Sequence, residues 1–502
     1  MRSVLLSLLI LLPSLGQAIS LKEGDFVKGE FISHQEADLY IQFPDKTTRL
    51  LAKNVQGEKI FLFKSEQQGE ANFIAYKTGT SELIDNFTLN ITQQIPLNDQ
   101  KRLKKEEVFT HPLLQNIKGI QKDTSVFWQR IKEVGTPLIE KIDEQKSKVT
   151  FLYRGAKQNV KLFSDIAYTH DDMQQIAGTD IWYRSYILPN DARFLYKVAP
   201  DVPDLPVSSG EQRRAILATA QADLFNHYPY FESPSDDIKT IDKFNYWSSV
   251  TLSHAVEQPF VTKKDTLQGS IQKVYFESTI LGNKRRVWIY LPKNFSKEKY
   301  YPILYLLDGA EYTQQVSVPT ILDNMIAEHK IQPMVGVFID TISAKTRAEE
   351  LPANTQFAKA LTEELIPFVE KTIQAKYRII SGSSYGGLAS AYIAFNYPHL
   401  FPQALIMSGS FWWQAKESPP EENNYMAWQF AQHDKKPLCL FISAGRFEAG
   451  ENSILASSRH LKDVLKAKHY PLIYKEYSAG HSYFSWQGVL SDGLIALQNL
   501  CL

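Results

Sequence analysis

From residue 26 to 94, short runs of alternating apolar and polar positions, such as 37–43, 59–64 and 71–76, are separated by Gly, Asp, Asn and Gln. A period of two, with β-branched and aromatic residues on one side, predicts strands of a small β-sandwich rather than helices. Residues 96–105 are polar and aperiodic, and read as a linker. A helical stretch over 126–133 then leads into strands at 148–153, 179–188 and 193–197, which predict a second β-sandwich. The polar segment 201–212 and the proline-rich 228–237 read as long loops, and 237–261 has no clear period.

After Gly269 the pattern changes. Strands at 284–291, 302–307, 334–338, 377–380 and 438–443 alternate with helical patterns at 321–327, 357–372 and 388–396. Nearly unbroken apolar strands between helices predict a mostly parallel sheet covered on both faces, hence an α/β domain. The expected divisions are 1–18, 19–115, 116–262 and 263–502.

The first of these is a targeting segment. Arg2, an apolar run over 4–12, Pro13, and the small residues Gly16 and Ala18 form a secretory signal peptide with cleavage expected after Ala18. That run is too short for a permanent span, and no later stretch reaches about 18 uncharged apolar residues, so no stable membrane span is expected. The reading is an exported, soluble chain. With 55 Lys+Arg against 55 Asp+Glu, scattered rather than striped, a nucleic-acid partner is not expected. Cys439 reads as a buried strand thiol in an apolar run, and a bridge to Cys501 is the less favoured reading. Neither has metal-ligand spacing and no HExxH occurs, so no metal site is predicted.

The chemistry is concentrated at Ser381-Gly382-Ser383-Ser384-Tyr385-Gly386-Gly387, between the strand 377–380 and the helix near Leu388. GxSxG in that context is a nucleophile elbow, which places Ser384 on a tight strand-to-helix turn. The domain is thereby read as an α/β hydrolase preceded by two β-sandwich-like domains. A serine hydroxyl needs a base, and in this fold the acid and then the histidine follow in chain order. His481, after a strand over 472–477, is the candidate base, and Glu448, after the turn Ala444-Gly445-Arg446, the candidate acid, with Glu451, Asp463 and Asp434 as alternatives. An oxyanion would be met by the N–H of Tyr385 and by one from Gly309-Ala310, where Gly309 is expected to let the backbone approach the ester.

Several blocks resemble the enterochelin (enterobactin) esterases: Ser408-Gly409-Ser410-Phe411-Trp412-Trp413, 444–448, Gly480-His481 with Trp486, and Arg347 with Glu350-Leu351 and Asn354. Upstream, Phe127-Trp128, Gly135-Thr136-Pro137, and the stretches 149–154, 178–186 and 218–223 look like that family's N-terminal domain. The resemblance runs from about residue 120 onward and implies hydrolysis of a catecholate siderophore's trilactone by Ser384, His481 and Glu448. Cofactors are not expected; Fe(III) enters only as part of the siderophore substrate.

A ferric tris-catecholate is a compact trianion with flat arms, so its pocket calls for cations and aromatic walls. Arg184, Arg193, Arg347 and Arg446 are the candidate cations, and Trp182, Trp412, Trp413 and Trp486 the candidate walls. Arg347 has Glu350 as an alternative partner, and Trp413 has core packing as an alternative role. Three features depart from the family pattern. Ser482 stands where an Asp usually follows the histidine, an export signal implies a periplasmic or secreted protein, and residues 19–115 have no counterpart and are assigned a glycan, a protein or the remaining chain as partner. The rival readings are a general exported carboxylic or aryl (feruloyl-like) esterase, and a non-enzymatic siderophore- or glycan-binding protein.

Overall fold

The computed structural model describes residues 17–100, 123–167, 170–205, 208–233, 236, 238–239, 241–265, 268–415, 424–450 and 453–501. All but the last two positions of the expected signal segment lie outside these residues, as do the candidate acid Glu451 and residues 101–105 of the expected linker. The chain divides into two compact units. One comprises 1–105, 157–159 and 199–220, and the other the remaining residues.

The first unit is one antiparallel sheet of five strands: β1 (Ala18–Leu21), β2 (Phe26–Gln42), β3 (Thr48–Lys64), β4 (Gly69–Lys77) and β5 (Phe87–Ile95). Its two long strands fold it into a sandwich. Residues 26–33 of β2 pair with the end of β3 and with β5, whereas 37–42 pair with the start of β3 and with β4, with the register slipping between Ser33 and Ala37. Bulges of this kind bend a sheet. Val27, Phe31 and Phe61 from one half thereby share a core with Leu39, Ile41 and Phe73 from the other. The period-two runs in the sequence mark only parts of these strands, 37–43 falling at the end of β2 and 59–64 at the end of β3.

Residues 201–212, expected as loop, contain the start of a helix, Ser209–Thr219, capped by Ser208 Oγ accepting the Glu211 N–H. Its small buried residues Ala215 and Ala218 cluster with Phe26 and Leu205 of the same unit, a face too slight to stand out as an apolar stripe.

In the second unit, a β-sandwich and the α/β sheet follow one another. The sandwich has one sheet ordered β6-β7-β10-β9, from Leu138–Lys141, Lys146–Arg154, Ile181–Pro189 and Gln174–Gln175, and another ordered β12-β13-β11-β8, from Pro229–Phe231, Tyr246–Thr251, Arg193–Pro200 and Val160–Ser164. Phe151, Trp182, Phe194, Tyr196 and Val250 fill the space between the sheets. Helix Ser125–Val134 covers the other side of β7 through Trp128, Ile131 and Leu152, as the alternation of strand side chains requires.

The eight-stranded sheet runs β14-β15-β17-β16-β18-β19-β20-β21, formed by Ser270–Ser278, Asn283–Leu291, Val335–Ile339, Tyr300–Leu307, Gln374–Ser383, Gln403–Met407, Cys439–Gly445 and Leu472–Tyr477. The pairs β14/β15 and β15/β17 are antiparallel and the rest parallel. This is the α/β-hydrolase arrangement. Helices cover both faces, giving two cores, one built around Ile303, Val337 and Ile380 and the other around Leu304, Leu405 and Leu490. No described helix is long and apolar enough to cross a membrane.

One expectation is corrected here. Cys439 and Cys501 form a disulfide, with Cα atoms 6.1 Å apart, although 62 residues separate them in sequence. The helix Tyr483–Cys501 runs along β19 and β20 and ends beside the start of β20, a juxtaposition that cysteine spacing does not reveal.

Candidate active site

The candidate catalytic and oxyanion residues follow the C-terminal ends of the parallel strands β16, β18, β20 and β21, where α/β sheets present their chemistry. Ser384 follows β18 with φ 58° and ψ −122°, a strained turn for a residue with a β-carbon, and heads the helix Tyr385–Asn396. Gly382 permits the turn, because a β-carbon there would lie 2.6 Å from the Gly386 backbone. The Ser384 N–H meets the Met407 and Ser408 carbonyls at 3.1 Å, and its carbonyl accepts the Ser410 N–H at 3.0 Å. Oγ of Ser384 lies 3.4 Å from Oγ of Ser410. Ser383 is fully buried.

His481 follows β21. Its Nδ1 is 2.6 Å from Oε1 of Glu448, whose Oε2 accepts the Gly445 N–H at 2.6 Å. Glu448 is completely buried, so its carboxylate is both shielded and hydrogen-bonded on each oxygen. Asp434 is exposed, and Asp463 pairs with Lys462. His399, His433, His460 and His469 are exposed. Beneath the imidazole, Trp486 stands edge-on at 4.9 Å and donates from Nε1 to Ser408 Oγ at 3.1 Å. Ser408 also accepts the Ser384 N–H, so the histidine's support and the elbow share one anchor.

The loop after β16 turns at Asp308 (φ 58°) into the short helix Gly309–Gln314. Amides in the first turn of a helix lack intrahelical acceptors, which leaves those of Gly309, Ala310 and Tyr385 suited to meet an oxyanion. The reason for glycine at 309 differs from the one expected: a β-carbon would come within 2.5 Å of the Phe338 backbone, so its absence lets the loop pack on β17.

Asp308 is a functional neighbour that the sequence reading missed. Arg347 grips it with both arms, Nε to Oδ1 at 2.6 Å and Nη2 to Oδ2 at 2.8 Å, and also reaches the Ser383 carbonyl at 3.5 Å. The Arg347 partner is thus Asp308, while Glu350 pairs with Arg285. The guanidinium braces the oxyanion loop against the elbow and has little charge left for a ligand. Glu311, one residue past Ala310, was also missed. Burial, with the negative charge of Asp308 adding to it, pushes its carboxyl up to about 7, and its Oε2 is buried without a hydrogen-bond partner.

The other predicted contacts separate into packed and available groups. Trp182 is buried in the sandwich core and donates to the Ala156 carbonyl at 3.3 Å; Trp486 is buried under the base. Trp413 packs on Tyr425, whereas Trp412 is exposed, its ring 6.1 Å from that of Tyr385. Arg184 pairs with Asp171 at 3.0 Å. Arg446 is half exposed, with a 3.5 Å contact to Asp191, and its Nη1 reaches Ser478 Oγ at 3.1 Å. Arg193 lies over the Phe484 ring at 3.8 Å, and its Nε is buried without a hydrogen-bond partner. Burial pushes its guanidinium down to about 10. The backbone N–H of Arg193 donates to the Ser478 carbonyl at 2.9 Å, so Arg193 and Arg446 flank the same residue, three positions before His481.

Comparison with known proteins agrees with this layout. The family model "Putative esterase" matches residues 278–497, and "Enterochelin esterase, N-terminal" matches 148–260. The chain is 26% identical to the iron(III) enterobactin esterase of Dickeya dadantii over 413 residues, covering 74% of this chain and 92% of that one. Among solved structures it is similar to the ferric enterobactin esterase of Salmonella typhimurium, at a TM-score of 0.64 and 25% identity, over 75% of this chain and 99% of the other. The enterobactin esterase of Shigella flexneri, crystallised in the presence of enterobactin, gives a TM-score of 0.60 and 25% identity, over 75% and 98% of the two chains. With both regions matched in order and the fold shared, the chain is homologous in sequence and structure to the iron(III) enterobactin (enterochelin) esterases.

Proposed function

We propose that this protein is an exported serine esterase that hydrolyses the trilactone ester bonds of a catecholate siderophore of the enterobactin type, working in the periplasm or outside the cell. The observation that carries the reading is the match over both the hydrolase sheet and the sandwich before it, since the second region is what separates this family from hydrolases in general. The disulfide is in keeping with an oxidising compartment.

In the proposed reaction, Ser384 Oγ attacks a lactone carbonyl while Nε2 of His481 takes its proton. Glu448, bound to Nδ1, keeps Nε2 free to accept and stabilises the imidazolium that forms. The N–H groups of Tyr385 and of Gly309 or Ala310 receive the oxyanion. Collapse breaks the ester bond; the leaving seryl alkoxide takes the proton from His481, and an acyl group remains on Ser384. Water, deprotonated by the same imidazole, then releases the acid and restores the serine. Contact between nucleophile and base is commonly long in free enzymes and tightens with substrate, which accommodates the present pairing of Ser384 Oγ with Ser410.

Arg193 and Arg446 are the cations proposed to meet the catecholate charge, with Trp412 as an exposed aromatic surface near the elbow. Iron is cargo in this scheme. The test is mass spectrometry of products from iron-free and ferric enterobactin, beside Ser384→Ala and a simple aryl ester. Serine-dependent linear trimer, dimer or monomer is expected. Intact enterobactin beside rapidly cleaved aryl ester would overturn the siderophore assignment in favour of a general esterase.

A further inference from the structure

The turn that carries Glu448 is seated in the sandwich, and Phe447 is the side chain that seats it. Its ring stands edge-on to Phe194 of β11, with centroids 6.3 Å apart, and packs on the core between the two sandwich sheets. Every other apolar residue of that cluster, among those described, belongs to the sandwich itself. The backbone around Phe447 is tied to the turn that leads to His481. The Arg446 N–H donates to the Tyr477 carbonyl at 2.7 Å, and the Phe447 N–H to the Ala479 carbonyl at 3.2 Å. At Gly445 the two turns come so close that a β-carbon would lie 2.3 Å from the Ala479 carbonyl oxygen. Glu448 follows Phe447 directly, fully buried, with its carboxylate 2.6 Å from His481 Nδ1.

Other links cross from the sandwich to these turns. The Arg193 N–H donates to the Ser478 carbonyl at 2.9 Å, and Gly480 packs against the Asp165 backbone, but both hold the base's turn rather than the acid's. Arg446 reaches Asp191 at 3.5 Å, yet both side chains are nearly half exposed, so water screens the pair and it holds the acid's turn weakly. The Phe447 ring, lodged among apolar side chains, is the stronger anchor.

We propose that Phe447 is a positioning residue for the acid: lodged on the sandwich core, its ring fixes the turn after β20, so that Glu448 meets the His481 imidazole in the alignment that proton transfer from Ser384 requires. This rests on reading Glu448 and His481 as acid and base. The sandwich then contributes to the rate through packing rather than through a group that touches the ester. A misplacement of about 1 Å can cost on the order of 100-fold in rate.

The experiment is a double-mutant cycle in the full-length mature chain: the parent, Phe447→Ala, Glu448→Gln and the two together. It measures kcat and KM on a small neutral aryl ester and the rate of Ser384 labelling by a fluorophosphonate, with circular dichroism to establish folding. The expected result for Phe447→Ala is a roughly 10- to 100-fold loss in kcat and in labelling, with KM held within about twofold. Because the ring acts through the carboxylate, the double variant should be within about twofold of Glu448→Gln alone. Phe447→Leu, which keeps most of the apolar volume, should lose only about threefold in the parent and nothing further beside Glu448→Gln, so the cycle can be read even if the alanine variant does not fold. Undiminished kcat in folded Phe447→Ala, or losses that multiply with that of Glu448→Gln, would overturn the inference while leaving Glu448 as the acid. A folded Glu448→Gln protein that keeps the parent's rate would overturn both.

Discussion

Replacing Glu448 by Gln removes one negative charge from a fully buried site while preserving the shape of the side chain. In the free enzyme the carboxylate orders the ring; in the transition state it faces an imidazolium at a nitrogen-to-oxygen separation of 2.6 Å. At an effective dielectric constant near 20, that attraction is worth about 6 kcal/mol. The glutamine returns part of it as a neutral hydrogen bond, worth about 1 kcal/mol net, and it can also present its amide N–H₂ to the ring, which would favour the wrong tautomer. A net loss of about 4 to 5 kcal/mol corresponds to a fall in kcat of roughly 10³- to 10⁴-fold. KM should stay nearly constant, because Glu448 lies behind the base and away from bound ester. The assay is steady-state hydrolysis of a neutral aryl ester and of iron-free enterobactin, with circular dichroism as a check on folding. A folded Glu448→Gln protein that keeps kcat within tenfold of the parent on both substrates would refute the assignment of Glu448 as the orienting acid.

Arg193→Gln should raise KM for ferric enterobactin by about 10- to 100-fold, the value of one lost charged hydrogen bond, and change KM for a neutral aryl ester little; equal losses on the two substrates would point to a packing role over Phe484. Glu311 has its folded-state carboxyl raised from 4.5 to about 7, so the stability it contributes is complete below 4.5 and is lost as pH rises toward 7, at a slope of at most roughly 1.4 kcal/mol per pH unit. Glu311→Gln should therefore gain on the parent in urea midpoint across that interval, and parallel pH curves would count against the buried, unpartnered carboxyl. Cys501→Ser opens a covalent loop of 62 residues and should lower unfolding free energy by roughly 4 kcal/mol, read by chemical denaturation; a parent protein equally stable with and without reductant would contradict this.

Much of the hydrolase was legible because its signals are local. A continuous apolar strand such as β16 and the glycine-flanked Ser384 each carry their own evidence within a few residues. Chain order at strand ends pointed to Glu448 and His481 as a pair, and their side chains do meet at hydrogen-bonding distance. What escaped was set by contacts distant in sequence. Nothing near Arg347 indicates that its partner is Asp308, 39 residues earlier, and the order of charges instead suggested Glu350. Gly480 packs against the backbone of Asp165, far from it along the chain, so no motif couples them. Trp182 and Trp486 illustrate a different limit, since an indole that walls a pocket and one that fills a core look alike until burial is known. Strands β14 and β19 were missed as well, the first because its outer residues are exposed and mostly polar, the second because four apolar residues behind Pro402 and Gln403 have no period to read.

The composition of the first compact unit governs how this protein can be cut. Because residues 157–159 and 199–220 belong to it along with the leading segment, removing everything before residue 106 would take away the sheet and leave behind a helix whose Ala215 and Ala218 had packed beside Phe26. A shortened protein made for crystallisation or for screening would carry that orphaned apolar face into solution. Excision would need a second edit, replacing 201–220, the part of that stretch beyond the end of β11, with a short polar connection, before the behaviour of the remainder could be attributed to the loss of the sheet alone.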